Sequence, residues 1–205
     1  IGEWMNNDFV SGAKGLLPEH SYYNKYYGRT SWNSSTIISM AIGQGELLLT
    51  PIQMANIAAI IANKGYFYTP HIIKGIEGEN KIDSNFTTKK YTTINPKYYE
   101  VIIDGMQRVV SSSTGTANNI LADDIVICGK TGTAQNPHGE DHSIFIAFAP
   151  KENPKIALAV YVENGGWGST WAAPIAGLMI QKYTNSKINL ELEKFIINGN
   201  TVNIK

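Results

Sequence analysis

Apolar positions recur at helical spacing through residues 50–64, where Met54, Ile57, Ala58 and Ile61 fall on one face. Thr50 stands where an N-cap belongs, Pro51 suits the first helical position, and Gln53 sits where a capping box wants a carboxamide. Gly65 is expected to end the run in the αL conformation. A second helix is predicted after Asn95, with Pro96 at its first position. Tyr99, Ile102, Ile103, Met106 and Val109–Val110 lie along it, and Ser111–Gly115 terminates it. The last third of the chain changes period. Ile125–Cys128 leading into Lys130–Gln135, then Ser143–Ala149 and Lys155–Glu163, are short runs with compact connections, and they read as three consecutive antiparallel strands. A final helix is predicted from about Ser169, with Pro174 in its first turn, where a missing N–H does little harm.

Elsewhere the pattern is weaker. Residues 1–36 carry no sustained period and read mostly as loop, with room for a short helix at the start. Tyr22, Tyr23, Tyr26 and Tyr27 are expected to pack that segment rather than to stack on a ligand. Tyr66 to Ile76 reads as an edge strand or bend broken at Pro70, and residues 77–90 as an exposed polar loop. Asn198-Gly199, between Phe195–Ile197 and Thr201–Ile204, leaves a small hairpin open. Together these elements predict an α+β fold, an antiparallel sheet flanked by helices. It has an irregular lead-in over 1–36, helices and core strands over 37–183, and a tail over 184–205.

Composition narrows the function classes. The 205 residues are 43% hydrophobic, enough for a real core, and seventeen basic side chains balance seventeen acidic ones. No whole-molecule field favours nucleic acid or an anionic membrane. No apolar run is long enough to span a bilayer, and neither a signal peptide nor a cofactor motif is visible. A start at Ile1-Gly2-Glu3-Trp4 without Met suggests a chain that begins inside a longer protein. Cys128 is the sole cysteine, which excludes an internal disulfide and a thiolate cluster but leaves the compartment open.

The segment Lys130-Thr131-Gly132-Thr133-Ala134-Gln135 carries the candidate chemistry. On a strand edge, the Lys130 ammonium sets a positive potential and assists proton movement. The hydroxyls of Thr131 and Thr133 can donate to a substrate carboxylate, and Gly132 lets a substrate backbone lie close. A backbone N–H beside it can form half of an oxyanion hole. A phosphate-binding loop is excluded, because that motif needs glycine five residues before its Lys-flanking Gly and position 124 is Asp. Of the remaining polar groups, His138, Glu140, Asp141 and His142 lack ligand spacing and read as a solvated turn rather than a metal site. Cys128 reads as inert packing, and Gly165-Gly166-Trp167-Gly168 as a chain turn more than a cleft rim. The helix exit Ser111–Thr116, with Gly115-Thr116-Ala117, is given no chemistry.

Longer blocks surround the triplet: Gly129–Gln135, His142–Pro150, Asn153–Ala157, Val162–Gly166 and Ala172–Ala176 downstream. Upstream stand Gly15-Leu16-Leu17-Pro18, Ile42-Gly43-Gln44-Gly45 and Thr50–Ala55. In this order, over residues 15–65 and 105–180, the chain resembles the class B penicillin-binding proteins, nearest their elongation-type branch. The resemblance implies an enzyme at the periplasmic face of the bacterial inner membrane. It would cross-link peptidoglycan stem peptides through an acyl-serine and be acylated by β-lactams. It implies a membrane glycosyltransferase as partner, with no cofactor and no metal. It also implies roles: Lys130 in the proton network, Thr131, Gly132 and Thr133 in substrate binding, and the Thr133 N–H at the oxyanion.

Members of that family use Ser-x-x-Lys, then Ser-x-Asn, then the Lys-Thr-Gly strand. Ser11-Gly12-Ala13-Lys14 matches the first as a string, but Gly12, Gly15 and Pro18 deny it the helix that would bring lysine and serine to one face. Ser31-Trp32-Asn33 matches the second, yet it lies too close to Ser11 and downstream of its family place, so Asn33 reads as a turn residue. The nucleophile and a membrane anchor are therefore expected before Ile1. Two other readings stand beside this one: a serine β-lactamase-like hydrolase, and a non-catalytic binding or scaffold module of wall synthesis.

Overall fold

A computed structural model describes residues 2–3, 5–9, 11–75, 77 and 82–199. The chain divides into two compact units, one formed by Ile1–Gln53 with Tyr68–Thr88, the other by Met54–Phe67 with Lys89–Lys205.

In the first unit the lead-in is more helical than its pattern predicts. Helix α1 (His20–Tyr26) buries Tyr23, whose hydroxyl donates to Glu46 Oε2 at 3.1 Å, and the Tyr27 hydroxyl donates to the other oxygen of that carboxylate. The tyrosines thus pack one another and a carboxylate, and Trp32 joins them by donating its indole N–H to Asn24 Oδ1 at 3.0 Å. Helix α2 (Ser34–Ala41) starts from a capping box in which the Asn33 side chain accepts from Ser35 N–H. No residue of α2 is fully buried; Ile37, Met40 and Ala41 form its short apolar stripe beside Leu17 and Leu47, and the cap fixes its start.

Helix α3 (Pro51–Ala62) begins as predicted. Gln53 Oε1 accepts from Thr50 N–H at 2.9 Å and Thr50 Oγ1 from Gln53 N–H at 3.3 Å, while the buried Gln53 amide also donates to Lys14 O. Its C-terminus is shifted by one residue. Lys64 takes the left-handed conformation at φ 55°, and Gly65 follows, donating its N–H to Ile60 O in a Schellman pattern. The strand predicted over Tyr66–Ile76 shrinks to β1 (Tyr66–Phe67), paired with β2 (Lys90–Tyr91). Pro70 lacks a donor, and the N–H groups of Ile72 and Ile73 go to the Asp8 carboxylate rather than to a ladder. Ile76 lies outside the described residues. Within the expected 77–90 loop, Asp83 caps a short α4 (Ser84–Thr87).

The second unit is a three-layer arrangement. Its sheet consists of β3 (Cys128–Ala134), β4 (His142–Ala149) and β5 (Ile156–Val162), antiparallel and in that order. Alternation along the strands sends Cys128 and Phe148 to one face, against Tyr99, Ile103 and Met106 of α5 (Lys97–Ser111). Phe145, Ala147, Ala149, Leu158 and Val160 face the other way, against Ala172, Ala173, Ala176 and Ile180 of α6 (Ala172–Thr184). Each large side chain in these layers contributes roughly 1.5–3 kcal/mol by burial. Gly129 is needed for that packing, because a Cβ there would lie 2.2 Å from Phe145 Cζ.

In place of the hairpin considered at Asn198-Gly199, the chain forms α7 (Leu190–Asn198). Asn189 accepts from Leu192 N–H at its start, Leu192 is buried, and Phe195 stacks on Trp171 at 5.2 Å. These anchors select the helical period over a type I′ turn; residues 201–204 lie outside the described residues.

Burial lifts the Cys128 thiol to about 11 from an ordinary 9.0, so the buried side chain packs and does not react. A folded thiol that holds its proton longer than the unfolded one stabilises below pH 9, and that stability is lost as pH rises towards 11. The wild type should therefore lose about 2–3 kcal/mol more than Cys128→Ala in denaturant titrations run at pH 8 and above pH 11. Equal losses in both proteins would refute the assignment.

Candidate active site

Strand β3 is an outer strand of its sheet; among the described residues, no strand pairs with its other edge. Lys130 projects from it into solvent and donates its ammonium to Thr131 O at 2.7 Å. Across the ladder it pairs with Ile146, and Gly132 pairs with Ile144, both isoleucines half-exposed. Neither isoleucine belongs to the buried cluster that α5 covers farther along the strand.

Thr131 and Thr133 alternate onto the opposite face, beside Phe145 and Ser143. Both are half-exposed, so their hydroxyls can be reached from the strand edge. The two glycines of the strand differ in their reasons. A Cβ on Gly132 would meet only Ile144 Cβ and Cγ2, at 3.4 and 3.6 Å, which is ordinary contact. Packing therefore does not require glycine at 132 as it does at 129; a ligand lying close to the backbone would.

The far end of β3 is held by a network rooted in the turn that follows it. Asp141 Oδ1 accepts from Asn136 N–H at 3.1 Å, and Asn136 Nδ2 donates to Asn164 Oδ1 at 2.8 Å. His142 Nδ1 accepts from Asn164 N–H at 3.1 Å. These side chains knit the turn to the loop after β5. That loop then lies against the site strand. A Cβ on Gly168 would stand 2.4 Å from Gly132 O and 2.5 Å from Ile144 O. The segment Gly165–Gly168 is thus a turn that also flanks Gly132. Ser143, fully buried, fixes its position by donating to Trp167 O at 2.8 Å and accepting from Ala172 N–H at 3.1 Å. Ser143 supplies from another strand the cap that Trp171 does not give α6.

One contact at the site has no trace in the sequence pattern. Thr116 Oγ1 lies 2.9 Å from Thr131 Oγ1. The motif look-alikes fare differently. Ser11 and Lys14 are exposed and lie in no helix, and Asn33 is an N-cap.

The chain matches the family of the penicillin binding protein transpeptidase domain over residues 15–181. It is 35% identical over 198 residues to the peptidoglycan D,D-transpeptidase MrdA of Haemophilus influenzae, with 87% of this chain and 30% of that protein covered. The MrdA of Escherichia coli K12 is 29% identical over 209 residues, covering 89% and 32%. Among solved structures, Pseudomonas aeruginosa PBP2 in complex with WCK 5153 superposes with a TM-score of 0.77 at 36% identity, over 90% of this chain and 40% of that one. Penicillin-binding protein A of M. tuberculosis, as an imipenem acyl-enzyme complex, gives 0.62 at 30% identity, over 74% and 34%. The chain spans about 30% of the length of the curated relatives it matches.

Proposed function

Because this chain belongs to the penicillin-binding protein transpeptidase family, we propose that it forms the carboxy-terminal portion of one peptidoglycan D,D-transpeptidase domain and supplies its carboxylate-binding side. The observation that carries the reading is the outer strand β3, on which exposed Lys130 stands beside a glycine that packing does not require.

In this reading a serine borne by a segment outside the chain attacks the penultimate D-Ala carbonyl of a stem peptide. The serine C–O bond forms, the peptide C–N bond breaks, and the terminal D-Ala leaves with the proton. An acceptor amine then takes the acyl group and regenerates the hydroxyl. Lys130 stabilises the charges that develop and supports proton transfer. Thr131 and Thr133 hold the terminal carboxylate, Gly132 admits the substrate backbone, and the Thr133 N–H faces the oxyanion. The half-exposed sheet face around Ile144 and Ile146 gives the serine-bearing segment a place beside Lys130.

We place the parent protein at the periplasmic face of the inner membrane, anchored by sequence outside this chain; no helix among the described residues is long and apolar enough to cross a membrane. A glycosyltransferase partner fits the likeness to a chain of a peptidoglycan synthase complex that coordinates polymerization and crosslinking, at TM-score 0.76 and 30% identity. PBP2 of Helicobacter pylori forms a complex with MreC, which makes a similar protein a second candidate partner.

Intact mass after incubation with excess penicillin tests the reading. The parent protein should gain one penicillin and this chain none. An adduct on the isolated chain would show that the serine lies within it, with Ser11 the first peptide to map. A parent that gains nothing would remove the transpeptidase assignment, and a parent that releases hydrolysed penicillin at turnover would replace it with a β-lactamase.

A further inference from the structure

We propose that Thr116 is a positioning residue, which orients the Thr131 hydroxyl toward the substrate carboxylate; this rests on the transpeptidase reading above. The two hydroxyl oxygens are 2.9 Å apart, fifteen residues separated in sequence. Thr116 is exposed and Thr131 half-exposed, so a ligand at the strand edge can reach the pair.

The segment that presents Thr116 is fixed on both sides. Gly115 donates its N–H to Ser112 O at 2.9 Å, and a Cβ at that position would fall 2.3 Å from Val109 O and 2.6 Å from Arg108 O. Glycine alone follows this path off the end of α5. On the other side Ala117 is fully buried and donates its N–H to Val109 O at 2.9 Å. Thr116 is the single exposed residue between these two anchors, held from a packed framework rather than from a loose loop.

The chemistry then assigns the direction of the bond. Each hydroxyl has one proton to give, and a carboxylate only accepts. For Thr131 to donate to the substrate, it must accept from Thr116, and Thr116 therefore donates. The resulting relay, from the Thr116 O–H to Thr131 and from the Thr131 O–H to carboxylate, stops the Thr131 rotor and polarises the bond that the substrate receives. Without Thr116 the Thr131 hydroxyl rotates freely and must be ordered by the substrate itself.

The test compares acylation of the parent transpeptidase by penicillin G with acylation by its neutral methyl ester, which lacks the recognised carboxylate. The wild type should prefer the free acid. Thr116→Val, which keeps the side-chain outline, should lower that preference about five- to tenfold, with the ester rate falling far less. Thr116→Ser should restore most of it. Thr131→Val should show the same loss, and the double variant little more, because the two hydroxyls act as one unit. A Thr116→Val protein that keeps the full preference, or slows equally toward both compounds, overturns the inference and leaves the transpeptidase reading standing. A wild type without preference removes the carboxylate role of Thr131, and the inference with it. A wild type acylated by neither compound removes the reading on which both rest.

Discussion

Replacing Lys130 with methionine is expected to slow penicillin acylation of the parent transpeptidase by about a hundredfold or more, with almost no change in stability. The side chain is exposed, lies in neither hydrophobic cluster, and makes its one hydrogen bond to the neighbouring Thr131 carbonyl. Surface changes of this kind move stability by about 0.5 kcal/mol or less. Removing a positioned proton-transfer group, in contrast, typically costs about a hundred- to ten-thousandfold in rate. Lys130→Arg keeps the charge but replaces a compact ammonium with a wider planar fork, so it should recover only part of the rate. Stopped-flow acylation and thermal melts on the same samples separate the two effects. Acylation by the methionine variant within threefold of wild type would take Lys130 out of the chemistry.

Gly168→Ala should act in the opposite way, through structure. The added methyl would stand 2.4 Å from Gly132 O, 2.5 Å from Ile144 O and 3.1 Å from Gly132 N. These are backbone atoms of two paired strands, with no rotamer by which to yield. Nor can the loop easily retreat. Its Trp167 carbonyl is held by the buried Ser143 hydroxyl, and the Gly168 carbonyl accepts from Ala173 N–H at 2.9 Å. Moving it away would strand those groups, so the variant should lose about 2–4 kcal/mol, from overpacking and weakened buried hydrogen bonds together. A fall in the urea midpoint at constant slope is the measurement. Gly166→Ala is the contrasting control. At φ +67° and with nothing within 4 Å of a new Cβ, it should cost only the left-handed conformation, about 1 kcal/mol. Equal midpoints for Gly168→Ala and wild type would mean that the loop is not seated on β3.

The contrast between those two glycines also marks what a sequence can tell. Thr50, Pro51 and Gln53 announce a helix start because their hydrogen bonds are local, and the short apolar run Ser143–Ala149, closed by Pro150, announces a strand by its length and its compact connections. The Lys130–Thr133 strand was legible for the same reason, helped by the family blocks around it. What stayed hidden depends on partners far away in the chain. Gln53 also donates to Lys14 O, Asp8 takes the N–H groups that would have continued β1, and Ser143 caps a helix twenty-nine residues later. Helix α7 was obscured because Asn-Gly is a strong local hairpin signal, and Leu192 and Phe195 outweigh it only once α6 and Trp171 are in place. Thr116 reads as part of a helix exit because nothing near it in sequence points to Thr131.

The ladders β3–β4 and β4–β5 pair residue for residue, seven pairs in each. This regularity makes the site sensitive to chain length as well as to residue identity. One residue gained or lost between Gly129 and Gly132 would either send the threonine hydroxyls to the face now held by Lys130 or, where the threonines keep their register, press a side chain into Phe145 where Gly129 gives way. Substitution can tune this strand one side chain at a time, but insertion and deletion are shut out of it. Added length is expected to be tolerated in the 135–141 and 150–155 connections instead, where a longer loop leaves the pairing of every strand residue unchanged.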